Sequence, residues 1–138
     1  MIKSTAFLLL LLPNTAAFLQ TKSVHVKGII SCNGTKVSKA TLKLVDNSFL
    51  TGEKILNKKE TDYNGNFDIM GTGRVIFSLD PKLKIYNNCG DNNTRCKKVV
   101  IIPITNEAVS TGTLPQLTDM GAIDLSFPYP NVLTDCNP

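Results

Sequence analysis

Short runs of alternating apolar and polar residues dominate this chain, and clusters of Asn, Gly, Asp and Pro separate them. Alternation with a period of two sends successive side chains to opposite faces, so each run predicts a half-buried β-strand. The clearest run covers residues 82–87. Leu83 and Ile85 fall on one face, and Lys82, Lys84 and Tyr86 fall on the other. Asp80-Pro81 separates it from an earlier β-prone run at residues 74–79. Proline has no backbone N–H, so a central, fully paired position is disfavoured there.

The rest of the chain follows the same rule. Residues 24–32 predict a strand with Val24, Val26 and Ile30 on one face, and Asn33-Gly34 then turns the chain because that pair tolerates positive φ. Residues 41–46 come next, with Leu42 and Leu44 inward and Lys43 toward solvent. A loop over residues 46–53 includes a short edge excursion at Phe49-Leu50. Residues 54–61 form a less regular strand, and Lys58 and Lys59 suit an edge that must not pair with a second chain.

Asp62-Tyr63-Asn64-Gly65-Asn66 is a strong turn signal, Phe67-Asp68-Ile69 resumes the alternation, and Gly71-Thr72-Gly73 interrupts it. Residues 97–104 place Val100, Ile102 and Ile104 on one face, with Pro103 marking an edge or an end. A long polar connection follows, with a short helical turn near residues 104–109. Residues 120–127 are the last predicted strand, with Ile123, Leu125 and Phe127 inward, and Pro128 and Pro130 stop it. No helix of ordinary length is predicted. The sum is an all-β fold, an antiparallel β-sandwich of seven to eight strands.

Composition narrows the class. The chain has 138 residues, the size of one domain, and 42% apolar residues, enough for a core. Its net charge of +4 is mild, and no arginine-rich block or basic helix is present, so nucleic acid is not an expected partner. Lys3, the apolar run at residues 6–12, Pro13-Asn14, and the small residues Thr15 and Ala17 form a secretory signal pattern. Residues 1–17 are expected to be removed, with cleavage as late as residue 20 as the alternative. The apolar run is too short to span a bilayer, and no transmembrane segment or lipid-attachment signal is expected elsewhere. The expected product is soluble and extracellular. It is divided into a sandwich at residues 22–127 and a tail at residues 128–138 tied by a disulfide.

Cysteine usage agrees with an oxidising compartment. Cys32, Cys89, Cys96 and Cys136 form an even set beyond the signal segment. The polar, turn-forming segment between Cys89 and Cys96 predicts a local bridge, which leaves Cys32 with Cys136. Without a Cys-x2-Cys pair and with one histidine, no metal and no cofactor are expected. Asn33-Gly34-Thr35 and Asn92-Asn93-Thr94 are glycosylation sequons in predicted loops, making Asn33 and Asn92 candidate acceptors.

No catalytic residue is predicted. A hydrolytic site needs a positioned base, and His25 has no evident partner in the sequence. No Gly-x-Ser-x-Gly elbow is present, and Asp46, Asp62, Asp68 and Asp80 lack the spacing of a calcium loop. Asp62 and Asp80 read as turn residues that bond their local backbone. The candidate binding patch is basic: Lys82, Lys84 and Tyr86 on one strand face, with Arg95, Lys97 and Lys98 after the cysteine loop, and Lys58 and Lys59 either contribute to it or only guard an edge. Such a surface suits an anionic lipid head group or an acidic partner.

Several stretches together resemble the nematode transthyretin-like family of secreted proteins. They are Val26-Lys27-Gly28, Cys32-Asn33-Gly34, Lys43-Leu44 and Thr61-Asp62-Tyr63-Asn64-Gly65-Asn66-Phe67. They continue through Asp80-Pro81-Lys82-Leu83-Lys84-Ile85-Tyr86-Asn87-Asn88-Cys89 and Gly121-Ala122-Ile123-Asp124-Leu125. The resemblance covers about residues 22–127. It implies secretion and a transthyretin-type, prealbumin-like sandwich, and no single activity. Some family members are thought to be extracellular adaptors, including ones that recognise phosphatidylserine. Asn87 stands where the family pattern usually carries histidine, so no imidazole role transfers to that position. The related hydroxyisourate hydrolases use several histidines and a C-terminal Tyr-Arg-Gly-Ser motif, whereas this chain ends Thr134-Asp135-Cys136-Asn137-Pro138.

The expected function is therefore non-enzymatic binding outside the cell, to an unknown extracellular protein or an anionic lipid surface. A monomer or weak dimer is the expected state. The alternatives are a hydrolase of that related type and a structural matrix protein.

Overall fold

In the computed structural model, which describes residues 19–48, 52–91 and 95–138, ten strands form two packed sheets. They are β1 (Gln20–Cys32), β2 (Thr35–Lys36), β3 (Thr41–Asp46), β4 (Lys54–Glu60), β5 (Asn66–Val75), β6 (Pro81–Asn87), β7 (Lys97–Pro103), β8 (Ser110–Thr111), β9 (Leu117–Asp124) and β10 (Val132–Asp135). The signal segment, the Phe49-Leu50 excursion and Asn92 lie outside the described residues.

The first sheet is built on β1, which pairs β5 along one edge and β8 and then β9 along the other, with the short β2 at its end. The second sheet has the order β10-β7-β6-β3-β4. Val24, Val26, Ile30, Phe67, Ile69 and Ile123 of the first sheet meet Leu42, Leu44, Leu83, Ile85 and Val100 of the second. These are the inward sets of the alternating runs, and their burial is what holds the layers together. A 3-10 turn at Asn106–Ala108 occupies the expected helical turn.

Local chemistry explains the turns. Asn33 (φ 50°) and Gly34 (φ 85°) both have the positive φ that a two-residue hairpin with primed geometry requires. In the next turn, Asp62 Oδ1 accepts the N–H groups of Asn64 (2.9 Å) and Asn66 (2.8 Å). Those bonds, led by the one from Asn66, hold the Asp62 carboxyl below its ordinary range. A Cβ on Gly65 would stand 2.4 Å from the Ile30 carbonyl oxygen, so the turn closes onto β1 only with glycine there.

Five expectations are corrected. Gly71 and Gly73 do not interrupt a strand, because β5 runs through both. A Cβ on Gly71 would lie 2.7 Å from Leu56 Cβ, so the glycine marks a close approach of β4's side chain to the β5 backbone. Residues 76–79 are not a strand: Ile76 and Phe77 are exposed and only Leu79 enters the core. Pro81 belongs to a central strand, but as its first residue, where no ladder donor is lost. The pairing is antiparallel except between β1 and β9, which run parallel. β9 ends at Asp124, Phe127 is 61% exposed, and the tail beyond Pro130 contributes a further strand, β10.

The disulfide pairing also differs. Cys32 is bonded to Cys89, and Cys96 to Cys136. Cys32 ends β1 in one sheet and Cys89 lies just beyond β6 in the other, so the first bridge ties the layers together. β10 pairs β7 with Val132 opposite Val100 and Asp135 opposite Lys97. Continuing that register by one residue sets Cys136 opposite Cys96. The error in pairing and the missed strand are thus one error, since the register that joins these cysteines exists only once β10 is recognised.

Candidate binding face on the second sheet

Inward Leu83 and Ile85 oblige Lys82, Lys84 and Tyr86 to point outward from β6. The register sets Lys84 opposite Lys43 of β3, and Lys43 opposite Lys58 of β4. Three lysines therefore stand side by side across three adjacent strands. Like charges directly opposite one another destabilise a sheet. Two local contacts offset part of that cost: Lys84 pairs with Glu53, and Lys43 Nζ lies 4.7 Å from the centroid of the Tyr86 ring, a cation–π distance. Lys82 Nζ is 4.0 Å from Asp80 Oδ2.

Val45, Tyr86 and Val99 also belong to this outer face, yet they are buried. The aliphatic stems of long lysines can cover such residues while their ammonium groups stay in water. The face is therefore a basic rim over an aromatic and aliphatic floor.

The candidate residues do not all converge. Lys97 shares the outward register with Val99. Lys98 is one residue out of phase, and its Nζ donates to the Cys89 carbonyl at 3.0 Å, beside the bridge at the sandwich end. Arg95 is exposed immediately ahead of Cys96. Sequence reasoning read Lys43 only as outward and left Lys58 and Lys59 as either contributors to the patch or guards of an edge. The register between β4, β3 and β6 sets Lys58 and Lys43 in line with Lys84.

Elsewhere, Asn33 is exposed in its hairpin turn, and its N–H donates to Asp124 Oδ1 at 2.9 Å. Asp124 also accepts the Ser126 hydroxyl (2.7 Å) and N–H (2.9 Å). The Ser126 bonds first, then that from Asn33, hold its carboxyl at about 2. Burial, and then the charge of Asp124, push the Tyr129 phenol up. Asn87 is buried and structural: its amide donates to the Ile85 (3.1 Å) and Lys98 (3.3 Å) carbonyls and its oxygen accepts the Cys89 N–H at 3.0 Å. Asp46 accepts the Asp80 N–H at 2.8 Å, tying β3 to the turn before β6.

His25 has a partner that the sequence did not reveal, since Nε2 lies 2.6 Å from Asp68 Oδ1 on β5. The nearest outward hydroxyl on its own strand, Ser23, is fully buried and closed to a substrate. Among the described residues, no group of three His, Cys, Asp or Glu side chains is placed to hold a metal ion. No helix among them is long and apolar enough to cross a membrane.

Two packed, mainly antiparallel sheets make this a transthyretin-type β-sandwich. Residues 27–105 match the model of the transthyretin-like family, and the chain belongs to that family. It is 30% identical to transthyretin-like protein 5 of Caenorhabditis elegans over 84% of this chain and 85% of that one. It is likewise 30% identical to transthyretin-like protein 33 of the same organism, over 96% and 93% of the two chains. Transthyretin-like protein 2, also from Caenorhabditis elegans, is 30% identical over 95% and 96%. Membership supports a non-enzymatic, transthyretin-like protein.

Proposed function

We propose that this chain is a secreted binding protein that meets an anionic surface, such as a membrane rich in acidic lipid, through the outer face of its second sheet. The observation that carries the reading is the row Lys58, Lys43 and Lys84 across adjacent strands. Ammonium groups set opposite one another repel, Glu53 and the Tyr86 ring offset only part of that cost, and an external anion would relieve the rest. Lys82 and Lys97 extend the positive rim, and the apolar floor under it suits the boundary between head groups and acyl chains. Cleavage after Ala17 would leave β1 whole, since that strand begins at Gln20. Two disulfides in a 138-residue chain fit an oxidising compartment.

Vesicle co-sedimentation tests the reading. The mature chain should bind vesicles of phosphatidylserine and phosphatidylcholine, and not phosphatidylcholine alone. Added salt should weaken binding, because charges at an exposed surface are screened over about 10 Å at 0.1 M. Replacing Lys43, Lys58 and Lys84 together by alanine should abolish it, and Lys98→Ala should not. Retained binding after the triple replacement would reject this face. Binding to neither vesicle type would reject the lipid and leave an acidic protein as the partner. Light scattering should report a mass near one chain, and a stable tetramer would contradict a monomer or weak dimer.

A further inference from the structure

We infer that Asn33 carries an N-linked glycan whose first sugar seats in the cleft at the end of the sandwich, against Phe127 and Tyr129. The inference rests on the extracellular reading, because only chains in the secretory pathway meet the glycosyl transferase. Three observations meet at one place.

The first is accessibility. Asn33 sits at the tip of the β1–β2 hairpin with positive φ, and both Asn33 and Thr35 of the sequon are exposed. The backbone of Asn33 is engaged with Asp124, while no hydrogen bond in the described turn requires its side-chain amide.

The second is a cleft of about 410 Å³ that opens beside that tip, its lining mixed and including Lys98 and Ser126. Asn33 itself forms part of its rim. Val100, Leu125 and Val132 line it, and Phe127 and Tyr129 form a wall beside the Cys32–Cys89 bridge. The two rings meet edge to face at 5.1 Å, with Phe127 61% exposed. Phe127 is exposed and Tyr129 half-buried, so the outer ring keeps a face open to a covering group. The flat C–H face of a hexosamine is such a group, since it meets the negative face of an aromatic ring.

The third is rigidity. Asp124 takes the Asn33 N–H on its side chain, and its backbone carbonyl takes the Phe127 N–H at 3.1 Å. One residue thus fixes the attachment point and the aromatic wall relative to each other. A sugar on Asn33 therefore loses little further freedom when it covers the ring.

The chemistry is a glycosyl transfer from a lipid-linked oligosaccharide pyrophosphate. The bond from the anomeric carbon to the pyrophosphate oxygen breaks, a bond from that carbon to Asn33 Nδ2 forms, and the amide gives up one proton as the lipid pyrophosphate departs. Thr35 supplies the hydroxyl that the transferase reads.

The experiment expresses the full chain in a secreting eukaryotic cell line, with a parallel version carrying a foreign leader ahead of Gln20. Peptide mass spectrometry reads occupancy at Asn33. Thermal unfolding compares three forms: intact, trimmed by an endoglycosidase to one N-acetylglucosamine, and bare as Thr35→Ala, because a peptide amidase would convert Asn33 to aspartate beside Asp124. We expect occupancy at Asn33, loss of that glycan in Thr35→Ala, an unchanged Tm after trimming, and a fall of about 4 °C in the bare form. With Phe127→Ala as the background, Thr35→Ala should leave Tm within about 1 °C. A secreted wild-type chain bare at Asn33 overturns the inference, as does an equal fall from Thr35→Ala with and without Phe127. Glycosylation only under the foreign leader would contradict secretion by the chain's own leader and still support the site.

Discussion

The two sheets present outer faces of opposite charge order. On the first, Lys27 of β1 stands opposite Asp68 of β5 on one side and Asp119 of β9 on the other, and His25 contacts the same Asp68. Every outward cation near the middle of that face has an acid beside it. On the second, Lys43 stands opposite Lys58 and Lys84. Both faces obey the same inward rule, with apolar residues alternating toward one core. That rule leaves the outward positions free. The first face gives each central cation an acid, whereas on the second Lys84 and Lys82 have acids nearby and Lys43 and Lys58 have none among the described residues.

Breaking the tie between the sheets should have the largest effect. Replacing Cys32 and Cys89 together by serine removes the bridge between layers, whose ends are 57 residues apart. Chemical denaturation should show a loss of about 2–5 kcal/mol. A loss below about 1 kcal/mol would mean that burial alone fixes the two layers.

Next in size is the packing that lets β4 lie against β5. Gly71→Val forces a side chain into Leu56 and Leu44 and should cost about 1–3 kcal/mol. Denaturant midpoints measure it, and an unchanged midpoint would show that Leu56 can move aside.

The charge comparison itself predicts opposite signs. Lys27→Glu sets an acid between Asp68 and Asp119 and should destabilise, by about 0.2–1 kcal/mol for each new like-charge pair. Lys43→Glu sets an acid between Lys58 and Lys84 and should cost less or stabilise, despite losing the contact with Tyr86. Equal destabilisation by both would show that the lysine row carries no internal strain.

The smallest effect is a local one in acid. Asp124 titrates at about 2 in the fold against an ordinary value of 3.8. Its folded pKa is depressed, so its contribution is complete above about 3.8 and disappears as pH falls toward 2. Hydrogen exchange at the Asn33 and Ser126 amides should quicken across that window once corrected for intrinsic rates. Asp124→Asn should remove the step.

What the sequence disclosed depended on whether neighbours along the chain were enough. β3 matches its predicted bounds and β6 begins only one residue early, because strict alternation needs no knowledge of a partner strand. The Asn33-Gly34 and Asp62 turns were readable for the same reason, since their bonds are local. Gly71 was misread because its cause, Leu56, arrives from another sheet. β10 was missed because four residues between proline and cysteine carry no periodic signal, and the disulfide pairing went with it. The basic face was half legible. Lys82, Lys84 and Tyr86 lie on one strand, while Lys43 and Lys58 join them only through cross-strand register, and Lys98 leaves the set because it is one residue out of phase.

The most direct test compares one charge reversal on each face. Binding to phosphatidylserine vesicles is measured for the wild type, Lys27→Glu and Lys43→Glu at equal salt. A lysine near an anionic membrane contributes about 1 kcal/mol, so reversing one on the binding face should weaken affinity about thirtyfold. Lys43→Glu should show that loss, and Lys27→Glu should remain within about twofold of wild type. Equal loss from the two variants, or none from Lys43→Glu, would contradict the assignment of the second sheet as the binding face.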